Sequence, residues 1–446
     1  MNCLADSMTP RTGPRGAGGA AHAAHTLGDC ACNGGGCMQS KKKVIRRISA
    51  LAGLLALPAA LVVMIGTAAS ASAASASSSC TTISTGNVMS AAQQAHAAGV
   101  QLPQALSPAC TVTPPPPEPA FNGTPPLLFN GVNGGTCFFQ PCDNGNVMMT
   151  RATGPVVITP IFWDPAGHPM SLAYKLVITK YLLDVALASG QDTNVFSVLN
   201  EYSGNNGRIH YNVRLGLPID DRNALPADGC TLEAADASGI YADGSGYNAC
   251  LDDDQLTAQI DSITAARHLP HNLSNIYVVY LPKAVETCFF AGSTATAANA
   301  CTINHEPSAA YCAYHSTDAN SAVYANLSYP IYGSSTGFTC GTDARFPVIE
   351  SPNGNPDADV EISPTSHEVS EAITDPDGET GWYDSTGNEI GDDCAYIFGA
   401  TNGQVGALYN QTIFGSHYIT QQEFSNRVFN ASGGTAGCVD SQRAEF

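Results

Sequence analysis

An α/β (α+β) domain, with a mixed sheet, flanking helices and one functional helix following the sheet, is the fold class this sequence predicts, on three observations. Val156–Trp163 and residues 275–281 are short β-branched and aromatic runs that read as buried strands. Leu172–Leu187 and Asp253–Arg267 space their apolar residues at helical intervals. Residues 363–376 carry helix punctuation at both ends, with Ser363 as N-cap, Pro364 at the first helical position and Pro376 at the stop.

The elements follow in order. Residues 1–37, rich in Gly, Ala and Cys, precede Met38 and are expected to be no part of the fold. Lys41-Lys42-Lys43 and Arg46-Arg47, an apolar run over residues 50–65 and the small-residue sites Ala69-Ser70-Ala71 and Ala74-Ser75-Ala76 read as a signal peptide over residues 38–76. Residues 77–112 are expected to form a short helical segment closed by Cys80 and Cys110. Residues 113–153 open with Thr113-Pro114-Pro115-Pro116-Pro117-Glu118-Pro119 and read as a Pro/Gly-rich linker and loop. The main domain is expected over residues 154–446. Its sequence runs strand, helix, a helix or turn at residues 194–202, an alternating strand at 208–215, a cysteine-bounded loop at 226–250, helix and strand. Two further short strands, residues 309–314 and 322–327, precede the functional helix. That order is the one a zincin-like domain requires, and it also suits other α/β folds.

His367-Glu368-Val369-Ser370-Glu371 carries the chemistry. On a helix, His367 and Glu371 lie four residues apart on one face and can hold one metal ion, with Glu368 beside the water that the ion activates. This is the H-E-x-x-H arrangement of metallopeptidases with glutamate in place of the second histidine. Ile362, Val369, Ala372 and Ile373 supply a core-facing stripe for a short helix with an acidic face. About twenty residues on, Asn388-Glu389-Ile390-Gly391-Asp392-Asp393-Cys394 offers a third ligand. Glu389 and Asp392 are the preferred candidates for that ligand and its partner, with Asp393 in reserve. His417 and Tyr383 are candidate oxyanion donors, whereas His305 and His315 read as residues of cysteine-rich loops. Asp375-Pro376-Asp377-Gly378-Glu379 reads as a helix-ending turn, and Asp252-Asp253-Asp254 as the cap of the helix after it. There is no G-x-S-x-G elbow and no phosphate-cradling glycine loop.

Charge and cysteines set the class. The chain has 446 residues and a net charge of −20; residues 77–446 hold 11 basic and 36 acidic side chains, so nucleic acid and anionic surfaces are poor partners. After residue 76 no run is long and apolar enough to span a bilayer, which predicts no stable membrane insertion after signal cleavage. Twelve of the 16 cysteines follow residue 38, and an exported chain is expected to pair them in six disulfides.

Several separated motifs, in order, resemble one family. They are Gly154-Pro155-Val156 leading to Ile161-Phe162-Trp163, residues 194–202, Tyr311-Cys312-Ala313-Tyr314, Thr374-Asp375-Pro376, Cys394 followed by Ile397-Phe398-Gly399, and Tyr418-Ile419-Thr420-Gln421-Gln422-Glu423-Phe424-Ser425-Asn426. Over about residues 154–438 the chain resembles the EXORDIUM/phosphate-induced protein 1 family and its bacterial secreted relatives. The resemblance implies an extracellular protein. Plant members are wall-associated growth proteins without an established enzyme activity, whereas bacterial relatives keep His-Glu-x-x-Glu, as this chain does at His367, Glu368 and Glu371. The expectation is a secreted zincin-like metallohydrolase acting on an extracellular polypeptide. Its metal is zinc by analogy, with manganese or calcium as alternatives because carboxylates harden the ligand set. The rival is a non-catalytic extracellular protein that binds a cell-wall polymer or a partner.

Overall fold

The computed structural model describes residues 126–129, 145–241, 243–295, 299–302, 311–330, 350–378, 380–385 and 387–445. The expected leader, the segment bracketed by Cys80 and Cys110, His305 and most of the Pro/Gly-rich stretch lie outside these residues.

Six strands form the main sheet: β1 (Val156–Trp163), β2 (Val213–Leu215), β3 (Ile219–Asp221), β4 (Asn275–Tyr280), β5 (Ala313–Thr317) and β6 (Val323–Leu327). Their order is β5-β6-β4-β1-β2, and β3 pairs with the far end of β1. Every pairing is parallel except that of β5 with β6. Successive side chains of a strand point to opposite faces, so each central strand feeds two cores. Val156, Ile158 and Phe162 of β1, with Ile276, Val278 and Tyr280 of β4, enter one core; Ile161 and Trp163, with Tyr277 and Val279, enter the other. This is why these runs are apolar throughout instead of alternating.

Helices cover both faces. α1 (Leu172–Leu187) and α3 (Pro356–Thr374) pack together over the first core, and α2 (Asp253–Arg267) over the second. Asp252 caps α2 in a capping box with Gln255, as the acidic run foretold. The architecture is therefore mixed α/β, with β5 as an antiparallel strand at the edge nearest α3.

Four expectations need correction. α3 does not start at Ser363: Asn355 is its N-cap, accepting the N–H of Ala358 at 3.1 Å, and Pro356 occupies the first turn. Ser363-Pro364 copies the same signature one loop later, but Val360 and Ile362 extend the buried face across it, and tertiary burial outweighs the rung that Pro364 cannot make to Val360. The helix is thus 19 residues long, and its acidic side chains Asp357, Asp359, Glu361, Glu368 and Glu371 are buried. The strand expected at 208–215 forms only at β2, and the one expected at 309–314 begins at Ala313. The described part of the expected linker is packed into the fold: Leu128–Phe129 pairs with Trp382–Tyr383, and the Met148 N–H donates to the Ile373 carbonyl at 2.9 Å.

Cys230–Cys250, Cys288–Cys301 and Cys394–Cys438 are disulfides, and Cys312 is disulfide-bonded as well. All seven described cysteines are therefore oxidised. Among the described residues no helix is long and apolar enough to cross a membrane.

Candidate metal centre

The helical spacing brings His367 and Glu371 together, with Nε2 and Oε1 3.1 Å apart. A turn after Ile390 closes over them. The backbone N–H groups of Gly391 and Asp392 donate to Glu371 Oε1 at 3.2 and 3.1 Å, which fixes that carboxylate from the side opposite its own helix. Asp392 Oδ1 then lies 3.5 Å from His367 Nε2, while its Oδ2 accepts the N–H of Glu389 at 3.2 Å. The turn is itself anchored, by the Cys394–Cys438 disulfide and by the Phe424 N–H on the Ile390 carbonyl at 3.0 Å. Only glycine fits at position 391, since a Cβ there would stand 2.6 Å from His367 Nδ1.

Of the candidate third ligands, Asp392 faces His367. Glu389 turns instead toward a second histidine, with its Oε1 3.6 Å from His315 Nε2. Asp393 belongs to none of the ligand groupings among the described residues. His315 is the residue that sequence reasoning set aside. It lies in β5, buried, with Nδ1 3.3 Å from Glu368 Oε2 and 3.7 Å from Glu371 Oε2, and Nε2 2.9 Å from the Asp375 carbonyl. The available signal was Asp318-Ala319-Asn320-Ser321, a turn between two apolar runs that makes residues 313–317 a hairpin strand.

His417 is not brought into the centre. Its ring is exposed on the hairpin Gln411–Ile413/Ser416–Tyr418, stacked on Tyr409 with centroids 3.7 Å apart. Tyr383 pairs with Leu128 and does not line the pocket described next. Ser363, no longer a cap, accepts the N–H of Gln421 at 3.1 Å.

The centre forms the floor of a pocket of about 210 Å³. His367, Glu368 and Asp392 line its base, and Tyr311, Ala313, Tyr396 and Phe398 line its apolar walls. Ala313 opens β5, and among the described residues no strand pairs with the outer edge of β5. The Asp318 N–H bonds to the Ala322 carbonyl at 3.0 Å, which places Tyr314 and Ser316 in hydrogen-bonded pairs with β6. The peptide groups of Ala313, His315 and Thr317 consequently point outward along that edge.

Among the described residues, the ion pairs of Glu368, Glu371, Glu389 and Asp392 are all with His315 or His367. Burial opposes charge on His367, but Glu371, Asp392 and Glu368 overcome it and hold its pKa well above the usual value. Burial likewise opposes charge on His315 and is overcome by Glu389, Glu368 and Glu371. Burial pushes Glu371 up to about 7 against the pull of His367. Glu389 is raised well above its usual value, also by burial. Partial burial would raise Asp392, whose side chain is still 44% exposed, but its hydrogen bond to His367 holds it below its usual value. A divalent cation is a species that such a concentration of carboxylates, with Glu368 and Glu371 buried among them, suits.

The donor set passes one test of fit and strains another. Ligands bound at about 2.1 Å in a tetrahedron stand about 3.4 Å apart, close to the 3.1 and 3.5 Å seen around His367 Nε2. Gln421 Nε2 donates to the Gly391 carbonyl at 2.6 Å and therefore meets His367 Nδ1, 2.9 Å away, as a donor. A cation on Nε2 leaves the proton on Nδ1, so metal binding requires the Gln421 amide to turn over.

The chain matches no known family, no curated protein and no solved structure.

Two other groupings have histidine or cysteine donors already engaged within the protein. Cys230, Cys250 and Cys288 are used in disulfides. In the group Asp261, His271 and Asp318, the His271 ring nitrogens meet the Asn320 carbonyl at 3.1 Å and Thr264 Oγ1 at 2.8 Å, and that hydroxyl donates to the Ile260 carbonyl at 2.9 Å. Both ring nitrogens are thus engaged by groups of the protein itself.

Proposed function

We propose that the chain is a metal-dependent hydrolase of zincin-like type, a peptidase acting on extended extracellular polypeptide. The observation that carries this reading is the convergence of Glu371 Oε1 and Asp392 Oδ1 on His367 Nε2, with His367 and Asp392 lining a pocket beside the edge of β5 that no strand pairs among the described residues, and with Glu368 Oε1 4.0 Å from that same Nε2. A divalent cation held there would polarise a carbonyl and lower the pKa of water. Zinc suits the site by likeness to H-E-x-x-H; two carboxylates in three ligands keep manganese and calcium as alternatives. Glu368 accepts the proton of the attacking water and passes it to the leaving amine. The outward peptide groups of Ala313 and its neighbours in β5 hold the substrate backbone as an added strand, and the aromatic wall takes a side chain.

A secreted location is supported by the leader-like sequence and the oxidised cysteines. The EXORDIUM-like reading, a non-catalytic binder of wall polymer or a partner, has one observation on its side: the donor Gln421 presents to His367 Nδ1 suits a ring whose proton sits on Nε2 and is donated to Glu371, with no lone pair there for a metal. Metal content and hydrolysis of unfolded casein decide between them, measured on the wild-type chain and on His367→Gln, Glu371→Gln and Glu368→Gln. The hydrolase reading expects activity lost in all three, and the His367-held cation lost in the first two only. A metal-free, inactive and stable wild-type protein refutes it.

A further inference from the structure

The carboxylate of Glu371 divides its oxygens between two histidines. Oε1 lies 3.1 Å from His367 Nε2, and Oε2 lies 3.7 Å from His315 Nδ1. Glu368 divides likewise, with Oε1 4.0 Å from His367 Nε2 and Oε2 3.3 Å from His315 Nδ1. The pentapeptide therefore presents two overlapping ligand groups rather than one: His367, Glu371 and Asp392, and His315, Glu368 and Glu371. A histidine at the fifth motif position, with one free ring nitrogen, could not be shared in this way.

An independent observation comes from the far side of the His315 ring. The Asp375 carbonyl, 2.9 Å from Nε2, can only accept, so Nε2 carries a proton. A neutral ring then aims the lone pair of Nδ1 at two carboxyl oxygens, at 3.3 and 3.7 Å, and supplies no hydrogen to either. A second proton on the ring resolves that convergence, and so does a cation. The carbonyl on Nε2 is the partner that metal-ligating histidines characteristically have, and the distances bracket a tetrahedral edge of about 3.4 Å. Glu368 lines the pocket floor, which gives an ion a route past its carboxylate.

We infer that His315 Nδ1, Glu368 Oε2 and Glu371 Oε2 form a second divalent-cation site, bridged to the first through Glu371, and that filling it withdraws Glu368 from its role as proton acceptor. The inference rests on the hydrolase reading for its regulatory half, and on geometry alone for the site. The second cation is then an inhibitor: one equivalent switches hydrolysis on, and two switch it off.

The test uses the full secreted chain stripped with chelator and titrated with Co2+, with bound metal counted after desalting. Two equivalents are expected in the wild type and one each in His315→Gln and His367→Gln, with Glu371→Gln weakening both sites at least about 10-fold. Casein hydrolysis should rise with the first equivalent and fall with the second, and the fall should vanish in His315→Gln. One wild-type equivalent, lost in His367→Gln and kept in His315→Gln, overturns the second site and leaves the hydrolase reading standing. Two equivalents persisting in His315→Gln overturn the ligand assignment, and no bound cation overturns both readings. Should circular dichroism show His315→Gln unfolded, the wild type loaded with Mn2+ decides. An exchange-coupled pair in its paramagnetic resonance spectrum supports the bridge, and isolated Mn2+ signals refute it.

Discussion

Gly391→Ala adds one methyl group against the proposed ligands and nothing else. The backbone at Gly391 has φ −82° and ψ −39°, which alanine adopts freely, so no backbone strain accompanies the change. The obstacle is steric: the new Cβ would stand 2.6 Å from His367 Nδ1, 2.8 Å from its Cγ and 3.0 Å from Glu371 Oε1. Restoring ordinary contact at 3.4 Å moves the ring by about 0.8 Å. The ring cannot yield freely, because Gln421 stands 2.9 Å from Nδ1 on one side and Glu371 3.1 Å from Nε2 on the other. Overpacking of this kind costs about 1–3 kcal/mol, against about 0.4–1 kcal/mol recovered by stiffening the unfolded chain. A net loss of about 1–2 kcal/mol is expected in urea unfolding of the metal-free protein. A misplacement near 1 Å is also enough to lower turnover by about 100-fold. Metal affinity by competition with a chromophoric chelator, measured beside stability, separates the two effects. Unchanged affinity together with unchanged stability would refute the close packing of the Gly391 turn on His367.

Glu286, whose Oε1 accepts the Thr302 hydroxyl at 2.8 Å, is raised by burial to about 8, above an ordinary value of 4.5. The folded state therefore keeps a proton that the unfolded chain has shed, so its contribution is complete below pH 4.5 and is lost as pH rises to about 8. At 1.36 kcal/mol per unit this is on the order of 5 kcal/mol as an upper bound. Melting temperatures from pH 5 to 8 should fall less steeply in Glu286→Gln than in the wild type, and parallel curves would contradict this. Asn355→Ala removes the true cap of α3 and should cost about 1 kcal/mol in urea unfolding, with no cost expected if the helix began at Ser363. Cys394→Ala with Cys438→Ala opens a loop spanning 44 residues, for a loss of about 4 kcal/mol. It should also weaken metal binding by freeing the turn that carries Asp392; full metal affinity in that variant would show the turn is held without the disulfide.

Legibility in the sequence followed how local each signal was. Val156–Trp163, Leu172–Leu187 and Asp253–Arg267 were readable to the residue, because the strand is an unbroken β-branched and aromatic run and the two helices space their apolar residues at helical intervals behind their own caps. The spacing of His367 and Glu371 was equally local. The start of α3 was not: Asn355-Pro356 and Ser363-Pro364 carry the same capping chemistry, and only burial of the intervening turn distinguishes them. The orientation of Glu389 and Asp392 depends on how the Gly391 turn lands on α3, which no window of sequence contains. His315 comes from another element altogether and joins the centre because β5 reverses against β6 and returns toward the end of α3. Both failures concern residues that meet only after the sheet and the last helix have docked.

The turn bearing Gly391 and Asp392 is pinned by parts of the chain that lie well beyond it: Gln421, Phe424 and, across 44 residues, the sulfur of Cys438. A ribosome makes α3 first, so a nascent chain holds a helix with the pentapeptide intact and no lid to complete its grip on an ion. The last of these pins comes only when Cys438 has been made and an oxidant has joined it to Cys394. Under the hydrolase proposal, the grip of the centre on an ion would in this way tighten only at the place and moment of oxidation.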